Sequence, residues 1–259
     1  MTIGKTLKNP ADFIGKRALV TGGTRGIGAA VALALARGRA RLVLGYRSNE
    51  ASAQAIAATI ASEGLEPPRL VAADLVHPDE ARRLVSVAGE EGPFDFLVHA
   101  AALGAFRSAL EVRPSQWDLT LAVGTRAFLI LAQAAAPVMP RGGRLVALSS
   151  LGSFRVLPKY GALGPSKAAL EAVVRQLAVE LGPSGILVNA VSTGLIDTPS
   201  VRRHPDFEAL AARSVLGTPL GRIGTPEDVA RVVIFLLGPL SGWITGQTIL
   251  ADAGASLTI

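Results

Sequence analysis

A chain of 259 residues, 49% of them hydrophobic, is long enough to bury one large α/β core. Its longest apolar runs are broken by Arg, Gly or Pro before the roughly 20 residues of a membrane helix, the opening MTIGKTLKNPADFIGKR carries no apolar stretch of leader length, and the absence of cysteine excludes disulfides and thiolate metal sites. The net charge of +6 is carried by scattered arginines rather than a basic run interleaved with aromatics, so a cytoplasmic enzyme with no metal, nucleic-acid or membrane partner is expected.

Short β-branched or Leu-rich runs alternate along the chain with Ala- and Leu-rich stretches of helical length. Strands are expected at Arg17–Thr21, Arg41–Tyr46, Arg69–Asp74, Phe94–Ala100, Gly143–Ser149, Ile186–Val191 and Thr248–Ala251. Helices are expected at Ile27–Ala36, Glu50–Ser62, Pro114–Ala136 and Lys167–Leu181, with a further helix late in the chain. Strands apolar on both faces and alternating with helices form a parallel sheet covered on both sides. Right-handed crossovers then give a doubly wound, Rossmann-like α/β sheet of about seven strands, one domain across residues 1–259.

The first strand runs into Thr21-Gly22-Gly23-Thr24-Arg25-Gly26-Ile27-Gly28 and then into a helix. Glycines there let the backbone turn sharply and approach a pyrophosphate, while the helix N-terminus offers free N–H groups and partial positive charge. Thr21, Gly22, Thr24, Arg25, Gly26, Ile27 and Gly28 are therefore candidate cofactor contacts. The second strand ends Leu44-Gly45-Tyr46-Arg47-Ser48, without the carboxylate that would accept from the ribose 2′-OH of NAD. Arg47 and Ser48, with Arg25 nearby in such a fold, suit a 2′-phosphate, because forked guanidinium donors match its oxygens. Tyr46 lies at the same edge. NADPH is the expected cofactor, the bland alternative being two solvated arginines.

The TGxxxGxG spacing resembles the short-chain dehydrogenase/reductase family, and the likeness runs from about Lys16 to Ala255. Asp74-Leu75, His99-Ala100-Ala101-Ala102, Ser149-Ser150 and Asn189-Ala190-Val191-Ser192 to Asp197-Thr198 follow their strands in the order of that family. The resemblance implies further cofactor contacts from Asp74, Leu75, Ala100, Ala101, Ala102, Lys167, Ile196 and Thr198. It also implies a homo-oligomer, tetramer or dimer.

Most members of that family place a proton-donating Tyr four residues before a Lys that lowers its pKa. Here position 163 is Leu, and Tyr160 stands seven before Lys167. That spacing resembles the enoyl-acyl-carrier-protein reductases of the family, the NADPH-using bacterial type III enzymes above all. It implies reduction of an enoyl thioester on acyl carrier protein or CoA. The geometry gives a reason: hydride goes to C3 while charge develops on the thioester oxygen, so the stabilising hydroxyl must sit farther from the nicotinamide than in ketone reduction. Tyr160 is then the donor to the enolate oxygen, and Lys167 holds the ribose and supplies positive charge. Pro165 belongs in a helix's first turn, which places Tyr160 in the approach to the helix. Ser150, seventeen before Lys167, lies where the family's substrate-binding serine would fall, or caps its strand.

Other positions also depart from the family pattern, the polar pair after the fourth strand being His99-Ala100 here. His99 stands where Asn is usual, as a strand-end cap or as in the related type I enzymes. Ala122 stands where an Asn would hold a relay water, which makes that relay doubtful. The Pro- and Arg-rich stretch Ile196–Gly224 is expected as a substrate lid, with Arg202 and Arg203 either facing an anionic carrier or solvated. The rival readings are a ketoreductase of a secondary-metabolite ketone and a non-catalytic NADPH-binding protein.

Overall fold

The computed structural model describes residues 12–258; the reading of the opening stretch falls partly on residues 1–11, outside the described residues. One seven-stranded sheet has the order β3-β2-β1-β4-β5-β6-β7. The strands are β1 (Arg17–Thr21), β2 (Arg41–Tyr46), β3 (Arg69–Ala72), β4 (Phe96–His99), β5 (Arg144–Ser150), β6 (Leu187–Thr193) and β7 (Thr248–Ala251), all paired in parallel. The helices are α1 (Gly26–Arg37), α2 (Glu50–Ser62), α3 (Pro78–Gly89), α4 (Pro114–Leu121), α5 (Ala127–Ala135), α6 (Leu163–Leu181), α7 (Phe207–Gly217) and α8 (Pro226–Leu237).

Burial explains why the strands are apolar on both faces. Leu19, Leu97, Leu145 and Val188 pack under α3, α5 and α6, whereas Val20, Leu44, Val98 and Val191 pack under α1, α2 and α8. Each fully buried Leu or Val contributes about 1.5–3 kcal/mol through the area it removes from water.

The ends of the expected strands shift for identifiable reasons. β3 is an edge strand with β2 as its partner, and it stops at Ala72 because Asp74 turns the chain, its Oδ1 accepting from the Val76 amide at 3.1 Å. β4 is shorter than expected at both ends, and β5 and β6 reach past theirs because they keep pairing through Ser150 opposite Thr193. Helix α6 begins at Leu163 rather than Lys167, with Pro165 in its first turn, where no amide donor is needed.

The expected helix from Pro114 is not uniform. A π-helical turn, Ala122–Arg126, separates α4 from α5. Taken together, Pro114–Val138 is long and apolar enough to cross a membrane by length and composition. Its apolar residues are core residues instead: Phe128, Leu131, Ala132 and Ala135 are fully buried under the sheet.

Candidate active site

β1 and β4 are neighbours, yet the chain winds away from them in opposite directions, so the loops at their carboxyl ends part and leave a crevice. The glycine turn lies at this point. Gly22 has φ +63°, and a Cβ there would meet the Ala101 backbone at 2.9 Å. A Cβ on Gly28 would collide with the Gly22 carbonyl. The turn therefore stays thin, and α1 starts at Gly26 with no side-chain cap or first-turn acid on its free amides. Arg25 precedes it, and burial followed by the charges of Arg203 and Arg47 holds its pKa below the ordinary arginine value. Neither Arg25 nor Arg47 has a carboxylate ion-pair partner among the described residues.

The remaining nucleotide-side candidates sit around the same rim. Tyr46 ends β2 half-buried, and Arg47 and Ser48 follow it exposed. Asp74 and Leu75 follow β3, and Ala100, Ala101 and Ala102 follow β4. Ile196 and Thr198 are buried beyond β6, and Thr198 lies at contact distance from Gly26. Thr24 belongs to the turn itself, and Ile27 to the first turn of α1.

His99 ends β4 completely buried. Its Nε2 lies 3.1 Å from the Val123 carbonyl, which accepts, and its Nδ1 lies 2.9 Å from the Thr21 hydroxyl. With the proton on Nε2, Nδ1 accepts from Thr21, whose oxygen in turn accepts from the Ala101 amide at 3.4 Å. The imidazole thus ties the glycine turn to the π-helical turn. Val123 lies inside that turn, where the helical ladder is re-registered. Burial, then the nearby charge of Lys167, lowers the His99 pKa to about 3. The unfolded chain, with a value near 6.5, takes up that proton first, so stability falls as pH drops from about 6.5 toward about 3. Urea unfolding at pH 7 and pH 5 checks this: at about 1.4 kcal/mol per pH unit, the wild-type chain loses about 2 kcal/mol through this ring. His99→Gln is expected to lose that much less, and equal losses would refute the assignment.

On the substrate side, β5 ends at Ser150 and α6 crosses over it. Lys167 is buried, and its Nζ donates to the Leu148 carbonyl at 2.7 Å. Desolvation lowers its pKa to about 8, against the opposing charge of Glu171. Glu171 lies one turn on and accepts from the Ser149 hydroxyl at 2.5 Å. Tyr160 precedes α6. Its ring rests on Gly152, where an added Cβ would lie 2.5 Å from the ring carbons, and stacks on Phe106 at 6.4 Å. Burial raises the phenol's pKa, and the neighbouring Ser150 hydroxyl acts the other way. Ser150 also caps its strand, accepting from the Gly152 amide at 3.2 Å. The strand-end cap is the part of the Ser150 reading that the hydrogen bond bears out. Leu163 is buried, in contact with Gly104.

The stretch beyond β6 is pinned at its base by pairing of Ile196 with Gly224. Farther out, Lys159 pairs with Asp206 at 2.7 Å, and His204 meets Phe106 edge-on at 4.7 Å. Arg202 is held by Asp197 through contacts of 2.6 and 2.7 Å. Sequence reasoning missed Phe106, Ser153, Glu171 and His204. Glu171 carried a usable signal, four residues after Lys167 on one helix face, whereas Phe106 and His204 lie in loops and Ser153 in a short turn with no such spacing.

A glycine cradle at the switch point of a parallel sheet, facing a phenol and a buried ammonium, is the arrangement of a Rossmann-type oxidoreductase. Residues 22–256 match the family described as enoyl-(acyl carrier protein) reductase, and the chain belongs to that family of short-chain dehydrogenases/reductases. It is 40% identical over 242 residues to 1-cyclohexenylcarbonyl-CoA reductase of Streptomyces collinus, covering 92% of this chain and 86% of the relative. It is 36% identical to versicolorin reductase of Emericella nidulans, covering 93% and 96% of the two chains. A short-chain dehydrogenase of Burkholderia cenocepacia solved with NADP superposes with a TM-score of 0.88 at 36% identity, covering 96% of this chain and 100% of that one.

Proposed function

We propose that this chain reduces the carbon–carbon double bond of an enoyl thioester at the expense of NADPH. The observation that carries this reading is the position of Tyr160. It lies ahead of α6 against Gly152, seven residues before Lys167, while Leu163 fills the place four before Lys167 and cannot donate a proton. The similarity to an enzyme named for reduction of a cyclohexenylcarbonyl-CoA supports the same substrate class.

The residues present fit NADPH. The thin turn at Gly22 and Gly28 admits a pyrophosphate to the α1 amides, and Arg25, Arg47 and Ser48 suit a 2′-phosphate with no carboxylate to oppose it. When bound, the cofactor supplies the hydride that goes to C3. Tyr160 donates a hydrogen bond to the thioester oxygen as it takes on charge. Its raised pKa keeps the phenol protonated and therefore able to donate. Lys167, still mainly charged below about pH 8, holds the ribose hydroxyls; the expected lowering of the Tyr160 pKa by Lys167 is not what the fold provides, since burial raises the phenol's pKa and only Ser150 opposes it. Ser150 orients the phenol. A proton from Tyr160 or water at C2 completes the reduction.

Segment 196–224 acts as a lid over this site, pinned at its base and hooked at its tip by Lys159–Asp206. Exposed Phe235, Trp243 and Leu250, on or near α8 and β7, supply an apolar face for a homo-oligomer, and Arg203 suits an anionic carrier protein. A cytoplasmic setting goes with this reading.

NADPH oxidation measured across enoyl thioesters, on CoA and on carrier protein, and across ketones tests the proposal. Turnover of an enoyl thioester is expected. Reduction of ketones alone would replace this reading with a ketoreductase, and cofactor binding without any turnover would leave a binding protein.

A further inference from the structure

His204 carries a buried atom that nothing in the fold satisfies. The residue is 5% exposed. Its Nδ1 accepts from the Asp206 amide at 3.0 Å, which puts the proton of the neutral ring on Nε2. That Nε2 is buried and has no hydrogen-bond partner among the described residues. Native folds rarely leave such a donor empty, because burial strips it of water without return.

Its location gives the orphan a meaning. The His204 ring lies edge-on to Phe106 at 4.7 Å, and Phe106 stacks at 6.4 Å on Tyr160. His204 is therefore no farther from the Tyr160 ring than those two distances laid end to end. The arrangement is tied down: Lys159, next to Tyr160 and itself at φ +55°, pairs at 2.7 Å with Asp206, two residues beyond His204. Ser153, next in the chain to the Gly152 on which the Tyr160 ring rests, holds a second buried hydroxyl without a partner among the described residues. Two buried polar groups without partners thus lie in segments linked to the Tyr160 ring, His204 through Phe106 and Ser153 through its neighbour Gly152.

We propose that His204 is a specificity-determining residue, whose Nε2–H donates a hydrogen bond to an oxygen on the substrate's acyl group, beyond the reacting double bond. Tyr160 already answers the thioester oxygen, so the acceptor for His204 is a different one. Phe106, between Tyr160 and His204, gives the surroundings of that N–H an aromatic character suited to a ring-bearing ligand. The site therefore favours a ring-bearing acyl thioester with a hydroxyl or carbonyl over a plain hydrocarbon chain. This inference rests on the enoyl-thioester reading above. Its physical basis is that a buried donor left unpaired penalises the analogue lacking the acceptor more than a lost methylene would.

The test compares kcat/KM for cinnamoyl-CoA with its 3-hydroxy and 4-hydroxy ring analogues, using NADPH and the full-length enzyme, alongside aryl methyl ketones with and without the same hydroxyls. At least one hydroxylated thioester is expected to be preferred about tenfold or more. His204→Phe is expected to collapse that ratio toward one through KM, and His204→Gln, whose amide still donates, to retain part of it. A wild-type ratio near one overturns the proposal, as does an equal loss on both members of a pair in His204→Phe, or a Gln variant no better than Phe. If only the ketones turn over, the enoyl reading falls, and the same ratio on the ketone pair judges His204 separately. Should the Phe variant fail to bind NADPH, the wild-type ratio and the Gln variant decide.

Discussion

Tyr160→Phe is expected to lower kcat for enoyl thioester reduction by about 10²–10³-fold, the range seen when one oxyanion donor is removed. The substitution takes away only the hydroxyl. The ring keeps its seat on Gly152 and its stack on Phe106, so the fold and the glycine turn are undisturbed. Affinity for NADPH, measured by fluorescence quenching, should survive while turnover falls. That split separates a group acting on the transition state from one that merely packs. If the variant kept most of its kcat, the oxygen at position 160 would not face the developing charge, and the mechanism drawn here would be wrong.

Lys167→Met is expected to abolish useful turnover and yet raise Tm at pH 7. The amine is buried, and its pKa is lowered from 10.5 to about 8, mainly by desolvation. Because the folded value lies below the unfolded one, stability rises as pH climbs from about 8 to about 10.5, and the full penalty applies below about 8. That shift corresponds to about 3 kcal/mol. Met fills similar space without the charge, though it leaves the Leu148 carbonyl without its donor, which offsets about 1–2 kcal/mol. The net gain of about 1–2 kcal/mol is worth roughly 2–4 °C per kcal/mol for a chain of this size. Scanning calorimetry at pH 7 and pH 10 checks the sign: the gain should be present at pH 7 and shrink at pH 10. A variant less stable at pH 7 would mean that the ammonium contributes to the fold rather than to the reaction, against the usual exchange of stability for function.

Much of this architecture is legible in the residues because it rests on local rules. The strands were readable since a sheet covered on both sides needs apolar residues at every position, and β4 and β5 are buried almost throughout. The glycine turn was readable because only glycine tolerates a left-handed backbone against Ala101. Tyr160 was placed ahead of α6 by Pro165, which tolerates only the helix's first turn. The start of α6 was set four residues late, because the pattern beginning at Lys167 says nothing about Leu163 and Gly164, whose burial comes from neighbours distant in sequence.

His99 shows the other kind of determination. As a letter it was a strand cap or a family variant. In the fold it is a neutral, buried strut between Thr21 and Val123. No periodicity marks the π-helical turn, whose residues Ala122–Arg126 continue a stretch of helical composition on either side. Phe106 likewise reaches Tyr160, and His204 reaches Phe106, from separate loops. The doubly wound parallel sheet and the cofactor class thus followed from patterns written along the chain, and the pairing of Tyr160 with Lys167 is proposed from a resemblance in spacing. The protonation of His99, the lowered Lys167 pKa and the unanswered N–H of His204 came only with the packed structure, because desolvation depends on everything that surrounds a group and not on what precedes it in the chain.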